Sequence, residues 1–175
     1  RTRGACCVAV SETVFRNLSQ RNNPDGLAAI CQTTWKDLDR LVPGPADVFV
    51  AVECGSDPDN LGTILRTLES AGAAGLILVG QSTNPFHART VRSSRGTVFT
   101  FSLCYCPDME TAFQWAGTRQ VHTVATSAKA ARSFWHATYQ LPVLCIFGNE
   151  HRGLDAETMA AADQSVSITL ALVEG

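Results

Sequence analysis

Lysine is almost absent from this chain of 175 residues: Lys36 and Lys129 stand alone, and every other base is arginine. Positive charge is lacking as a whole. The formal net charge is -2, so composition does not mark a general nucleic-acid binder. No apolar run approaches the ~20 residues of a membrane-spanning helix, and no membrane partner is expected. No secretory leader is visible at the start. Neither a dinucleotide fingerprint nor a P-loop motif occurs, and no Ser/His/Asp or Cys/His set stands at a recognised spacing, so nucleophilic hydrolysis is unsupported. The chain also lacks any Cys-x-x-Cys pair. Its seven cysteines are odd in number and scattered, which reads as buried free thiols in a reducing, cytoplasmic setting. His87, His122, His136 and His151 show no ligand spacing with them. Cys104-x-Cys106 has no second pair, so no metal is expected.

What is present is a sequence with 45% hydrophobic and 17% charged residues, long enough for one full domain with a sizeable core. Its organising stretch is residues 141–154, LPVLCIFGNEHRGL. The run Val143-Leu144-Cys145-Ile146-Phe147 predicts a strand buried on both faces, as in a parallel sheet. It stops at the polar, Gly-bounded loop from Gly148 to Gly153, and a helix is expected over 154–162. Loops at the carboxyl end of parallel strands are where open α/β sheets take ligands. An ordinary strand-turn-helix connection reads equally well from this segment alone.

The rest of the chain alternates in the same way. Strands are expected over 48–52, 76–79, 98–103, 121–125 and 166–170, and helices over 85–93 and 108–116. Between the first two strands Leu61, Ile64, Leu65, Leu68 and Ala71 recur at helical spacing. Asp57 or Asp59 is the cap and Gly72 the stop. Residues 128–140 are irregular or partly helical. The class is therefore α/β, a mainly parallel sheet with helices on both faces. Residues 1–34 hold strand-like 6–10 and 27–31, a short helix capped by Ser11 and the turn signal Asn22-Asn23-Pro24-Asp25-Gly26. They are too few to bury a core of their own. Residues 35–46, with Pro43-Gly44-Pro45, read as a connector to a main domain over 47–175.

Three polar loops could open on one edge of such a sheet: 57–60, Thr126-Ser127 and 148–153. Asn60, Arg66 and Glu150 are the candidate groups there. A paired-carboxylate hydrolase would need a second acid beside Glu150, and only Glu53 and Asp57 offer one. Arg89, Arg92 and Arg95 lie three apart. On a helix they would form one basic stripe suited to phosphate, though a solvated face is the plainer alternative. Asn60 and Arg66, six apart, stand ~120° from one another on a regular helix.

Several of these segments, taken together, carry a resemblance. Asp57-Pro58-Asp59-Asn60-Leu61-Gly62-Thr63-Ile64-Leu65-Arg66-Thr67 resembles the first motif of the SpoU-type (TrmH-like) RNA 2′-O-ribose methyltransferases of the SPOUT superfamily. Phe147-Gly148-Asn149-Glu150, with Gly153-Leu154, resembles the second motif. Val166-Ser167-Ile168-Thr169-Leu170 resembles the opening of the third, with Thr169 where proline is usual. Arg92-Ser93-Ser94-Arg95-Gly96 also matches a family segment, and residues 1–34 are similar to the end of the family's small N-terminal RNA-binding domain.

The resemblance implies a C-terminal trefoil knot and S-adenosylmethionine held by main-chain groups. It places Thr126, Ser127, Phe147, Gly148, Asn149, Glu150, Gly153, Ile168 and Leu170 at the cofactor. Arg66, Asn60 and Glu150 would serve methyl transfer to a ribose 2′-hydroxyl of ribosomal or transfer RNA. Arg89, Arg92 and Arg95 would contact RNA, and Phe86 or Phe134 would stack a base. A homodimer is the family's usual state. The chain begins at Arg1 without methionine and stops before the family's Ser-Leu-Asn stretch, so it is expected to be a piece of a longer protein. The alternatives are a non-catalytic RNA-binding relative on the same scaffold and an unrelated flavodoxin-like small-molecule domain.

Overall fold

The β-branched and aromatic run Val48–Val52 forms β1, and its side chains split between two apolar layers. Phe49 and Ala51 enter one layer, Val50 and Val52 the other. A strand of this kind needs cover on both faces, and the following elements supply it. The protein was analysed as a computed structural model that describes residues 6–19, 23–33, 35–53, 57–80 and 83–168. The chain divides into two compact units, Arg1–Thr33 and Thr34–Gly175.

In the first unit the described residues hold one helix, α1 (Glu12–Leu18), capped by Ser11, whose hydroxyl accepts from the Val14 N–H. The strand-like stretches 6–10 and 27–31 have no regular structure. None of the described side chains there is fully buried, so no apolar layer exists on which a strand could settle.

The second unit adds β2 (Gly75–Val79), β3 (Leu103–Cys106), β4 (His122–Thr126), β5 (Val143–Phe147) and β6 (Gln164–Val166). Its helices are α2 (Pro58–Ser70), α3 (Ala88–Ser93), α4 (Met109–Thr118) and α5 (Ala156–Ala161). The strand order is β3-β2-β1-β5-β4-β6, and every pairing is parallel. On one face α4 lays Met109, Ala112, Trp115 and Ala116 on Phe49, Ile77 and Leu144. On the other, α2 lays Leu61 and Leu65 on Val50, Leu76 and Leu78. Burying each such Leu contributes roughly 1.5–3 kcal/mol. Residues 35–46, read as a connector, pack onto this unit: the Lys36 N–H donates to the Leu103 carbonyl and Leu38 is buried in the core.

Three boundaries differ from expectation. Residues 98–103 were expected as a strand from the alternation of Val98, Thr100 and Ser102. They are instead a 3₁₀ turn, Thr97–Phe99, followed by β3. Alternation signals a strand with one wet face, whereas this sheet is covered on both; the true strand is the continuous run Leu103–Cys106. The expected helix over 85–93 begins only at Ala88, where the His87 ring nitrogen Nδ1 caps it. The last strand begins at Gln164, two residues ahead of the predicted 166–170, just after Asp163 bonds to Thr123; residues 169 and 170 of that expectation lie outside the described residues.

Candidate functional site

From β1 the chain steps outward through β2 and β3, then crosses over to the β5-β4-β6 half. The order therefore reverses between β1 and β5, the position where open parallel sheets bind ligands at their carboxyl ends. A cavity of about 430 Å³ lies there. Asn60, Thr63, Ile64 and Thr67 of α2 form one wall, and Phe147 and Gly148 the other. Glu53, Asp57 and Glu150 bring three carboxyl groups to it. Asn60 thus comes together with Gly148 and Glu150 of the 148–153 turn.

A second cavity, of about 510 Å³, opens between the ends of β4, β5 and β6. Thr126, Ser127, Phe147, Gly148, Gly153 and Ile168 line it. Phe147 and Gly148 are common to both cavities. The turn between them is built from main chain. The Gly153 N–H donates to the Asn149 carbonyl at 2.7 Å, and the Asn149 side-chain oxygen accepts from the N–H groups of His151 and Arg152. Asn149 therefore shapes the turn and Gly153, at φ 69°, closes it. A Cβ on Gly148 would lie 2.2 Å from the Gly153 carbonyl carbon and 2.3 Å from the Leu154 nitrogen, so only glycine fits. Leu170 lies outside the described residues.

The remaining predicted residues, Arg66, Arg89, Arg92 and Arg95, line neither cavity. Gly62 meets α3 so closely that an added Cβ would lie 2.7 Å from the Ser94 nitrogen. Further along, Glu69 accepts from the hydroxyls of Thr97 and Thr100. Arg66 falls between those two contacts, exposed, with no hydrogen bond or ion pair among the described residues. It lines neither cavity, although it stands only about 60° around the helix from Thr63. Of the three arginines expected in one stripe, Arg89 and Arg92 lie on α3. Arg95 follows its end in a left-handed conformation, φ 52°. Arg89 is engaged by Asp57 and Asp59, which raise its pKa chiefly through the Asp59 hydrogen bond.

Sequence reasoning did not single out Lys129, His151 or Arg152, which give the second cavity a basic rim. Their adjacency to the Ser127 and Gly148 loops was the available signal. It also missed the Thr123–Asp163 pair, in which the Thr123 N–H and hydroxyl both donate to the carboxylate at 2.8 and 2.7 Å. The backbone bond from Thr123, above all, holds the Asp163 pKa below its usual value. Burial pushes the Cys104 thiol up to about 11 and Cys106 to about 12, so both stay protonated and inert. Cys6, Cys7 and Cys31 are exposed, against the expectation of burial. Among the described residues no group of His, Cys, Asp and Glu could hold a metal ion, and no helix is long and apolar enough to cross a membrane.

A parallel α/β domain with paired crevices at its switch point is the class that fold and site define. The SpoU rRNA Methylase family model matches residues 47–172, and the chain belongs to that family. It is 30% identical to an uncharacterised tRNA/rRNA methyltransferase of Synechocystis over 91% of this chain and 57% of that protein. It is 26% identical to the 23S rRNA (uridine(2479)-2′-O)-methyltransferase of Streptomyces viridochromogenes, over 94% of this chain and 59% of that one. The AdoMet-bound rRNA methyltransferase of Sinorhizobium meliloti superposes with a TM-score of 0.86 at 32% identity, covering 94% of this chain and 63% of that one. The chain thus spans somewhat more than half the length of these relatives.

Proposed function

We propose that the protein transfers a methyl group from S-adenosylmethionine to a ribose 2′-hydroxyl of ribosomal or transfer RNA. The observation that carries this reading is the shared wall: Phe147 and Gly148 belong at once to a main-chain-built cavity and to a side-chain-lined one. A donor in the second cavity and a sugar in the first would meet across that wall. The fit to the cofactor is good on this chain's own features. The tight Gly148–Gly153 approach draws the turn's backbone up to the cavity, Ile168 is an exposed apolar side chain at its edge, and Thr126 and Ser127 bring hydroxyls. Relatives named as 2′-O-methyltransferases and an AdoMet-bound one support the same assignment.

When bound, S-adenosylmethionine supplies an electrophilic methyl carbon on a positive sulfur. This chain's residues do the rest. Main-chain groups of the 148–153 turn, with Thr126, Ser127, Ile168 and Leu170, would hold the donor. Asn60 would orient the ribose and Glu150 would order the polar set around it, so that attack by the 2′-oxygen is aligned. Arginine is a poor base, with a pKa above ~12. Arg66 would instead bind the phosphate beside the target and stabilise negative charge growing on the 2′-oxygen as the hydroxyl proton passes to water. Its freedom from ion pairs among the described residues and its place beside Thr63 support that role. Arg92, on α3, and Arg95, just after its end, are exposed and would add to the basic surface that Arg66 offers. A trefoil knot of the family's kind is part of this reading; the bonds that tie Ser167 to Arg132 and Phe134, fastening the end of β6 to the loop after β4, support it. The working form is a cytoplasmic homodimer.

Calorimetry with S-adenosylmethionine, followed by transfer of labelled methyl to unmodified rRNA and tRNA transcripts, tests the reading. Binding and transfer are expected, with Arg66→Ala losing about 10²-fold or more in kcat while cofactor affinity is kept. No cofactor binding would remove the proposal. Cofactor-free RNA binding alone would leave a non-catalytic relative. Nuclease mapping of the methylated nucleotide identifies the target.

A further inference from the structure

Arg89 was expected to contact RNA, yet its bonds run inward to α2. Its Nε donates to the Asp59 carboxylate at 3.0 Å and its Nη2 to Asp57 at 3.1 Å, with a further Nη2 bond to Asp59. Asp57 is the cap of α2: the oxygen that accepts from Arg89 also accepts from the Asp59 N–H at 3.1 Å. One turn of helix is therefore closed from outside by a single guanidinium. Beneath it, the buried Thr90 hydroxyl donates to the Pro58 carbonyl at 3.0 Å. Asn60 directly follows Asp59 in the chain and lines the first cavity together with Asp57.

We infer that Arg89 is a positioning residue for the target site: it fixes the first turn of α2, and through it Asn60, and does not bind phosphate. This rests on the methyl-transfer reading above. Two carboxylates against one guanidinium leave the cluster with a formal charge of about -1, which repels an RNA backbone. Arg92 and Arg95, in contrast, have no ion pair among the described residues. Bridging two carboxylates from one head requires the planar fork of arginine; a lysine ammonium is a point charge on a flexible stem. Exposed ion pairs contribute little to stability, so the clasp acts on the site's geometry more than on the fold.

The test is steady-state methyl transfer by the full-length protein to unmodified rRNA and tRNA transcripts. Arg89→Lys is expected to lower kcat about tenfold with KM for RNA changed less than about twofold, because charge is kept and alignment lost. Asp59→Asn is expected to lower kcat similarly, although it removes a negative charge and would aid phosphate binding. The double variant should be no worse than about either single one, since both break one device. Unchanged kcat in Arg89→Lys or Asp59→Asn overturns the inference, as does an Arg89→Gln variant that raises KM alone. Amide exchange of Asp59, Asn60 and Leu61 supplies a second readout, and faster exchange in Arg89→Lys is expected with an unchanged melting temperature. If the unaltered protein transfers no methyl group, the functional reading falls by itself. Exchange then decides the clasp, and unaltered protection sinks it.

Discussion

The two crevices at the carboxyl edge of the sheet are made in opposite ways. The first is walled by helix side chains: Asn60, Thr63, Ile64 and Thr67 recur along one stripe of α2, and acids gather at its end. The second is walled by turns and main chain, with Gly148 where a Cβ would collide, Gly153 in a left-handed turn, and a rim of Lys129, His151 and Arg152. The difference is one of tolerance. A side-chain wall can be re-cut by substitution without moving backbone, which suits a surface whose ligand varies. A main-chain wall fixes shape whatever the neighbouring side chains, which suits an unvarying small ligand. Charge follows the same division, acidic in the first and basic in the second.

Substitutions can break this contrast. Leu65 is fully buried under the α2 wall, and Leu65→Ala should destabilise the domain by about 2–5 kcal/mol in denaturant melts. A loss below 1 kcal/mol would mean that the wall is not anchored by its apolar face. Gly148→Ala should weaken S-adenosylmethionine binding by about 100-fold, roughly 2.7 kcal/mol, in calorimetry. Equal affinity would show that the second wall can yield after all. Gly62→Ala forces α2 away from α3 and should cost about 1–3 kcal/mol, read as a lower melting temperature. Its kcat should fall more than its cofactor affinity, since only the first crevice moves.

The smallest effect is that of acid. Asp163 has a folded-state pKa below its unfolded value of about 3.9, so its bonds to Thr123 stabilise the fold above that value and are lost as pH falls through the lower one. Asp163→Asn should flatten the stability profile in that acid window and leave it nearly parallel to the parent profile at neutral pH. An identical acid limb in both proteins would mean that the Thr123 pair does not set the β4–β6 register.

Much of the helix-built crevice was legible in the sequence. Helical spacing from Leu61 to Leu68, with Asp57 and Pro58 at the start, gives α2 outright, because one stripe is buried and the cap is local chemistry. The run Val143–Phe147 and its Gly-bounded loop were equally plain. What stayed hidden were contacts between segments distant in sequence. The Gly62–Ser94 approach and the turn of Arg89 toward Asp57 and Asp59 depend on how two helices dock, and spacing within one helix carries no record of that. For the same reason a three-residue repeat suggested one arginine stripe. Only Arg89 and Arg92 lie on α3, and Arg95 comes after its end. Arg66, named from the motif, stands outside both crevices, because six residues on a regular helix do not return to the starting face.

Lys36 has a further bearing on how the molecule behaves in company. β3 is the last strand on its side of the sheet, and an uncovered outermost strand is a template for stray pairing with other chains. The Lys36 N–H already occupies the Leu103 carbonyl there, and its ammonium reaches the Ser102 hydroxyl at 2.8 Å. The short stretch before β1 thus fills part of the edge on which another chain would pair. Trimming the protein at residue 47 removes that cover, and self-association of the shortened chain in light scattering is the expected outcome.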